Sequence, residues 1–465
     1  MRKHDKSKAS RYRYSSRTKI PTTKSGFPKA AYNSVTARSR LLSSRRIMGL
    51  KKILQSPVVT YFVAFLAGCL FVHTVNQSGS GQKSVIGEEK RQSVSLLIEK
   101  QYDMESRMNK AVQDINDRHM EHTKIKTYPP TKELPTWQKM RILVTGGAGF
   151  VGSNLVDLLM RQGHEVTVVD NFFTGRKDNV RHWIGHPNFE LKNHDVCQSL
   201  YIEVDRIYHL ASPASPPHYM YNPIKTIKTN TEGTQNMLGI ARRVKARMLF
   251  TSTSEVYGDP KEHPQKESYW GNVNPIGPRA CYDEAKRLGE TMMYAYQKQS
   301  GVDVRVVRIF NTFGPRMHPN DGRVVSNFII QALQNQTITI YGTGKQTRSF
   351  QFVDDLVRGI NAVMEGNVST PVNLGNPDEY TIIDFAKLII ELTGSKSEIR
   401  FLPASKDDPT RRKPDISFAK RAVGWQPAIS VRNGLIKTIE YFKDQLQKNG
   451  GSLRTVGQKP SKPGY

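Results

Sequence analysis

The sequence predicts an α/β fold, a doubly wound parallel sheet over residues 139–448 of a 465-residue chain. Three observations predict it. Short apolar runs bounded by turn residues, Arg141–Thr145, Glu165–Val169, Arg206–Leu210, Ala246–Ser252 and Val304–Ile309, read as buried strands. Helical segments such as Asn154–Gln162 and Glu232–Arg243 separate them, the alternation that a parallel sheet requires. The first run ends in a glycine-rich turn, Gly146-Gly-Ala-Gly149-Phe-Val-Gly152, at the head of a helix.

The regions before the sheet follow from charge and hydropathy. The chain carries a formal charge of +28, and residues 1–52 hold 16 Lys or Arg against one acid, Asp5, a local balance of +15. Much of the basicity is therefore an N-terminal block, and the remaining +13 over 413 residues suits an anionic small-molecule substrate better than nucleic acid. Val58–Val75 follows, 18 residues without Asp, Glu, Lys or Arg. As a helix it would span about 27 Å at ~1.5 Å per residue, enough for a thin bilayer. The basic block on its N-terminal side predicts a type II anchor spanning residues 53–75, with residues 1–52 cytoplasmic and the bulk of the chain lumenal.

Residues 76–138 read as a stem. Val94, Leu97, Gln101, Met104, Met108, Ala111 and Ile115 recur at three- and four-residue steps, the pattern of a short amphipathic helix or weak coiled coil. Tyr128-Pro-Pro130 and Pro135 end it. Residues 449–465 read as a disordered tail. Cys69, Cys197 and Cys281 show no metal-ligand spacing and read as free thiols, so no metal is expected.

The glycine turn has a physical purpose. A pyrophosphate can approach a backbone that lacks side chains, and the N–H groups opening the helix are aimed at its charge. The second strand run is followed by Asp170, where a carboxylate binds both ribose hydroxyls and repels a 2′-phosphate, so the cofactor expected is NAD rather than NADP. Arg176 and Lys177 nearby read as solvated loop charges.

The spacing Gly-x-x-Gly-x-x-Gly, with Asp195-Val196, His209-Leu-Ala-Ser212, Asn230 and Tyr282-Asp-Glu-Ala-Lys286, resembles the extended short-chain dehydrogenase/reductase family. The resemblance covers roughly residues 140–445 and implies a Rossmann-type sheet with a smaller C-terminal substrate-binding subdomain. It implies NAD contacts from Gly146, Gly149, Phe150, Val151 and Gly152, and from Asn171, Phe173, Thr174 and Gly175 after the second strand. By the same resemblance Asp195 and Val196 line the adenine and Leu210, Ala211 and Ser212 run beneath the cofactor. Thr312 touches it too, while Lys228 and Asn230 lie near the nicotinamide and pyrophosphate side.

Tyr282 and Lys286 stand four apart and share a helix face. A free phenol titrates near ~10, too high for an efficient base at neutral pH, and an adjacent ammonium with the positive nicotinamide ring is expected to lower it. Thr253, in Thr251-Ser-Thr-Ser-Glu-Val-Tyr-Gly258, supplies a third hydroxyl or else caps a strand end. Arg308-Ile-Phe-Asn311-Thr-Phe-Gly-Pro-Arg316 and Tyr341-Gly-Thr-Gly-Lys-Gln-Thr-Arg348 resemble the family's nucleotide-sugar segments. That implies substrate contacts from Asn311, Arg323, Tyr341 (packing on uracil) and Arg348, whose planar fork suits a diphosphate.

Ser254-Glu255 sorts the chemistry further. It lacks the Asp that 4,6-dehydratases carry after the Thr and keeps a Glu that 4-epimerases generally lack. That pairing resembles UDP-glucuronate decarboxylases, as do Ser212-Pro-Ala-Ser-Pro-Pro217 and Asp408-Pro-Thr-Arg-Arg-Lys-Pro-Asp415. The resemblance implies that Glu255 is catalytic and that Arg412 meets the sugar carboxylate of UDP-glucuronate, with Arg411 a competitor for that role. It also implies a homodimer and a Golgi membrane location. Two alternatives remain at this stage, a UDP-glucuronate 4-epimerase and a non-catalytic, membrane-anchored NAD-binding protein.

Overall fold

The computed structural model describes residues 127–403 and 411–453, preceded by residues 96, 99–100, 102–104 and 106–113. The basic block 1–52, the apolar run Val58–Val75, Cys69 and Asn76 lie outside the described residues, as do the seam positions Val94, Leu97, Gln101 and Ile115. Among the described residues no helix is long and apolar enough to cross a membrane. The chain divides into two units, residues 1–125 and 126–465. In the first, residues 102–104 and 106–113 are helical, in keeping with the spacing of Met104, Met108 and Ala111, and Met104 and Met108 are exposed.

The second unit is built on a parallel sheet. Its strands are β1 (Arg141–Thr145), β2 (Glu165–Asp170), β3 (Phe189–Asn193), β4 (Arg206–His209), β5 (Arg247–Thr253) and β6 (Val304–Ile309). Shorter strands follow: β7 (Thr312–Phe313), β8 (Ile338–Tyr341), β9 (Thr347–Ser349), β10 (Gln351–Phe352), β11 (Val372–Leu374), β12 (Glu379–Thr381), β13 (Ile399–Leu402) and β14 (Arg411–Arg412). The main sheet has the order β11-β6-β5-β4-β1-β2-β3, with every neighbouring pair parallel. The chain reverses direction of winding between β1 and β4, and a crevice opens there at the strands' C-terminal ends.

Among the described residues of this unit, ten α-helices accompany the strands: α1 (Phe150–Arg161), α2 (Pro216–Tyr221), α3 (Pro223–Asn230), α4 (Glu232–Val244), α5 (Ala280–Ser300), α6 (Val324–Leu333), α7 (Val353–Glu365), α8 (Ile382–Thr393), α9 (Ser417–Val423) and α10 (Val431–Lys448). Strand periodicity distributes the core between the two sheet faces. Ile142 and Val144 of β1 join Leu155, Val156, Leu159 and Met160 of α1 on one side. Leu143, between them, joins Met237, Leu238 and Ala241 of α4 with Met248 and Phe250 of β5 on the other. Burying each such side chain contributes about 1.5–3 kcal/mol, so neither helix layer is dispensable.

The five strands read from the sequence fall within a residue of β1, β2, β4, β5 and β6, while β3 and β11 of the main sheet were not anticipated, and three boundaries move. α1 begins at Phe150 rather than Asn154, because its first turn is set by the glycine backbone and not by apolar periodicity. The compact unit also takes in residues assigned above to the stem: Lys132 N–H donates to Arg161 O at 2.9 Å, and the rings of Tyr128 and His186 meet edge-on at 5.0 Å. At the other end, Leu453 is buried and its carbonyl accepts from Gln334 Nε2 at 2.9 Å, so the segment assigned to the tail returns to the domain at Leu453, and residues 454–465 lie outside the described residues.

The C-terminal subdomain consists of small pairings: β8 with β13, β7 with β10, and the order β12-β9-β14. In the last, Arg412 pairs in register with Arg348, bringing together two arginines 64 positions apart.

Candidate active site

A cavity of about 800 Å³ occupies the crevice and extends under the C-terminal subdomain. Its cofactor end is a cradle shaped by missing side chains. Gly146 has φ +70°, and a Cβ there would sit 2.9 Å from the Ala211 backbone; one on Gly152 would sit 2.1 Å from Gly146 O. Gly149 starts α1 without a side-chain cap, so the helix N-terminus, lined by Phe150, Val151 and Gly152, faces the cavity unblocked. These features fit a dinucleotide pyrophosphate.

Asp170 ends β2 beside the cradle and is buried. Burial pushes its pKa up, while the Phe172 N–H (2.8 Å) and the Ala148 N–H (3.0 Å) favour the ionised form. Those two bonds tie the adenosine-side turn to the glycine turn, a role the sequence did not reveal. Gly175 packs against this carboxylate instead of lining the cavity, whereas Asn171, Phe173 and Thr174 do line it. Asp170→Ala is expected to weaken NAD binding about 10–100-fold, the loss of hydrogen bonds to a charged group, and to narrow the preference for NAD over NADP. Calorimetric titration with both cofactors checks this; unchanged binding of both would mean that the carboxylate serves only the turn.

The adenine side differs in detail from the expectation. Val196 lines the cavity, but Asp195 does not: its carboxylate is held by Lys225 Nζ at 2.8 Å and Asn171 Nδ2 at 3.1 Å. Burial works against its ionisation, and these partners together with the Cys197 N–H outweigh that and hold it well below the usual carboxylate range. Lys228 and Asn230 also lie outside the cavity lining. Lys225, Thr226 and Thr229 of α3 line the cavity instead; Lys228 lies on another face, half exposed and 3.5 Å from Glu232. Asn230 is fully buried with Oδ1 unpartnered. Leu210, Ala211, Ser212 and Thr312 line the cavity as expected.

Tyr282 and Lys286 project from α5 into the middle of the cavity. Lys286 Nζ lies 5.8 Å from the Tyr282 ring centroid, 4.7 Å from that of Phe250, and donates to Thr251 O at 2.8 Å. The expected depression of the phenol is not found in the protein alone. Burial pushes the Tyr282 pKa up, opposed by its hydrogen bond with Thr253, and burial pushes Lys286 down to about 7. Desolvation disfavours both charges, so a phenolate needs the further positive charge that a bound nicotinamide ring brings. Thr253 fills both roles considered for it: it bonds Tyr282, and its Oγ accepts from Glu255 N–H at 3.2 Å as the cap of a turn.

Beyond this pair the cavity becomes arginine-rich. Asn311, Arg323, Tyr341, Arg348 and Arg412 all line it, and Arg323 is oriented by Asp321 at 2.8 Å. Arg412 is buried, whereas Arg411 is exposed, so geometry selects Arg412. Its Nη1 is bonded to Glu255 Oε1, and Arg279 Nη2 meets Glu255 Oε2 at 2.5 Å. Burial favours a protonated Glu255, but the two guanidiniums prevail and keep it ionised.

Sequence reasoning missed Arg279 and Tyr219. Arg279 stands three residues before Tyr282, one helical turn away, which was its available signal. Tyr219 stacks face to face on Tyr282 (centroids 4.9 Å, 6° between planes), and its hydroxyl is buried without a partner. No local pattern announces that contact. Across the mouth, Phe173, His218 and His318 form a column of edge-on rings at 6.0 and 5.5 Å.

Comparison with known proteins identifies the family. The model of the NAD dependent epimerase/dehydratase family matches residues 142–375. The chain is 61% identical over 431 residues to UDP-glucuronic acid decarboxylase 1 of Xenopus tropicalis, covering 92% of this chain and 97% of that one. It is 58% identical over 323 residues to UDP-glucuronic acid decarboxylase 2 of Arabidopsis thaliana, covering 69% and 73%. Among solved structures, UDP-glucuronic acid 4-epimerase from Bacillus cereus, in complex with UDP-glucuronic acid and NAD, is 28% identical with a TM-score of 0.61, covering 66% of this chain and all of that one. With its strand order, its glycine cradle and its Tyr282–Lys286 pair, this chain belongs to the NAD dependent epimerase/dehydratase family.

Proposed function

We propose that this chain converts UDP-glucuronate to UDP-xylose with release of CO₂. The observation that carries the reading is the Arg279–Glu255–Arg412 cluster beside Tyr282, in a cavity whose cofactor end fits NAD. The relatives named as UDP-glucuronic acid decarboxylases support the same substrate and reaction.

The chemistry explains the arrangement. Direct loss of CO₂ from a saturated uronate would leave an unstabilised carbanion. Oxidation at C4 first makes a β-keto acid, whose decarboxylation gives an enolate that takes a proton from water at C5. NAD, which the glycine cradle and Asp170 would hold, would accept hydride from C4 and afterwards return it. Tyr282 takes the C4 hydroxyl proton, with Thr253 bonded to its phenol and Lys286 behind it. Arg412 binds the sugar carboxylate, and Glu255 shares the charge of that arginine. This division matters, because a bare guanidinium would stabilise the carboxylate ground state and oppose CO₂ loss. Being ionised and doubly paired, Glu255 orients the site rather than protonating C5. Arg348 and Arg323 suit the diphosphate, and Tyr341 suits the uracil ring.

The deciding experiment is the mass of the product from UDP-glucuronate. Loss of one CO₂ supports decarboxylation, and an unchanged mass with inverted C4 supports the epimerase.

We also read the chain as a Golgi membrane protein of type II topology, anchored through Val58–Val75, and as a homodimer. Ile224 and Ile227 of α3 and Leu288 of α5 are exposed on neighbouring helices, which favours a helix-paired dimer; sedimentation velocity of the catalytic unit checks it. With lumenal topology the sequons at Asn76, Asn335 and Asn367 face the glycosylation machinery. Protease added to intact microsomes is then expected to trim only the N-terminal tail, and digestion of the catalytic unit would sink this topology.

A further inference from the structure

The face of α5 that presents Tyr282 and Lys286 carries a third polar residue. Glu290 follows Lys286 by four positions, so the three side chains succeed one another along the helix. Glu290 is buried but does not line the cavity. Its Oε1 accepts from Ser252 Oγ at 2.5 Å and from Arg308 Nε at 2.9 Å, and its Oε2 accepts from Arg308 Nη2 at 2.7 Å. Arg308, on β6, is itself fixed, donating through Nη1 to the Tyr257 hydroxyl at 3.0 Å and to Glu267 O at 2.9 Å. The carboxylate therefore cannot swing away from its place one turn below Lys286.

Lys286 has few other electrostatic neighbours. It meets the Tyr282 and Phe250 rings, the Thr251 carbonyl on β5 and, through space, His209 on β4. Burial and Lys286 together hold His209 neutral, down to about 3. Glu290 is thus the negative charge among the groups facing Lys286; Glu290 itself faces Arg308, Ser252, Lys286 and the Tyr294 phenol.

We propose that Glu290 is a positioning residue for the oxidation step, clamped by Arg308 and Ser252 so that it keeps Lys286 charged beneath Tyr282. The proposal rests on the reading of Tyr282 as the base at C4. A pair that served packing alone would have no need of a carboxylate here, since a buried ion pair of this kind is a weak source of stability. The sign follows from burial. Desolvation draws Lys286 down and the charge of Glu290 opposes it, leaving it at about 7 with the carboxylate in place. Removing that charge makes Lys286 lose its proton at lower pH. The shift is on the order of one to two pH units, the scale of a single nearby opposite charge.

Two readouts test it in Glu290→Gln. The first is carbamoylation of Lys286 by cyanate across pH in the cofactor-free protein, followed by peptide mass spectrometry; Lys286 lines the cavity and is within reach of the reagent. The second is the pH profile of C4 oxidation in single turnover. Both alkaline midpoints are expected to fall by on the order of one to two units, with KM for UDP-glucuronate unchanged and Glu290→Asp recovering part of the shift. If Glu290→Gln fails to fold, Glu290→Asp, which keeps the charge but draws it back by one methylene, is read instead, and a smaller fall of both midpoints is expected. Midpoints that stay at their parental values in the folded variant overturn the proposal. A cyanate midpoint that moves while C4 oxidation proves independent of Tyr282 supports the role of Glu290 and overturns the base assignment instead.

Discussion

Tyr282→Phe is expected to lower CO₂ release from UDP-glucuronate by about 10³-fold, the scale of a lost general base. The variant keeps the ring, and with it the stacking on Tyr219 and the contact with Lys286. It loses only the hydroxyl and its bond to Thr253, so the melting temperature should move little, about 1 kcal/mol or less of stability. Oxidation at C4 precedes every later step, so the reduced-nicotinamide absorbance should vanish together with CO₂. Release of CO₂ at near the parent rate would end the oxidation-first mechanism.

Arg412→Ala separates the two halves of the reaction. C4 oxidation should continue, while CO₂ release slows by about 10²–10³-fold, the scale seen when one preorganised donor is removed. The 4-keto uronate and reduced nicotinamide should then accumulate during a single turnover, which absorbance followed alongside labelled CO₂ would display. Glu255→Gln is expected to behave in the same direction and Thr253→Ser much less. Arg412→Ala also strips a partner from a buried carboxylate, a loss that can reach about 3–5 kcal/mol, so Glu255 becomes dependent on Arg279. Normal decarboxylation by this variant would assign the sugar carboxylate to Arg279 or Arg348. Loss of hydride transfer in both variants would make the cluster a binding or folding element and remove most of the weight of Ser254-Glu255 against an epimerase.

The parts of this architecture legible in the sequence were those encoded locally. β1, the glycine turn, α1 and Asp170 follow one another within some thirty residues, and each has a signature of its own. Tyr282 and Lys286 were legible for the same reason, since four residues on a helix is a fixed geometry. What could not be read depended on distant pairing or on burial. Arg411 and Arg412 are indistinguishable until β14 pairs with β9 and turns one of them inward. Lys228 looked like a site residue, but the face that α3 turns to the cavity carries Lys225 and Thr229 in its place. The phenol of Tyr282 was expected to be acidified by Lys286 together with a nicotinamide ring; in the protein without that ring, burial pushes it up.

The two ends of the cavity stand on different foundations. The redox end rests on the C-terminal edges of long strands whose side chains fill both layers of the core. The arginine end rests on strands of two to four residues, β8, β9, β12, β13 and β14, tied to one another rather than to the main sheet. A change in the pairing of these short strands therefore leaves the parallel ladders of the main sheet intact. The pairing that sets the arginines is separate from the pairing that carries the glycine cradle.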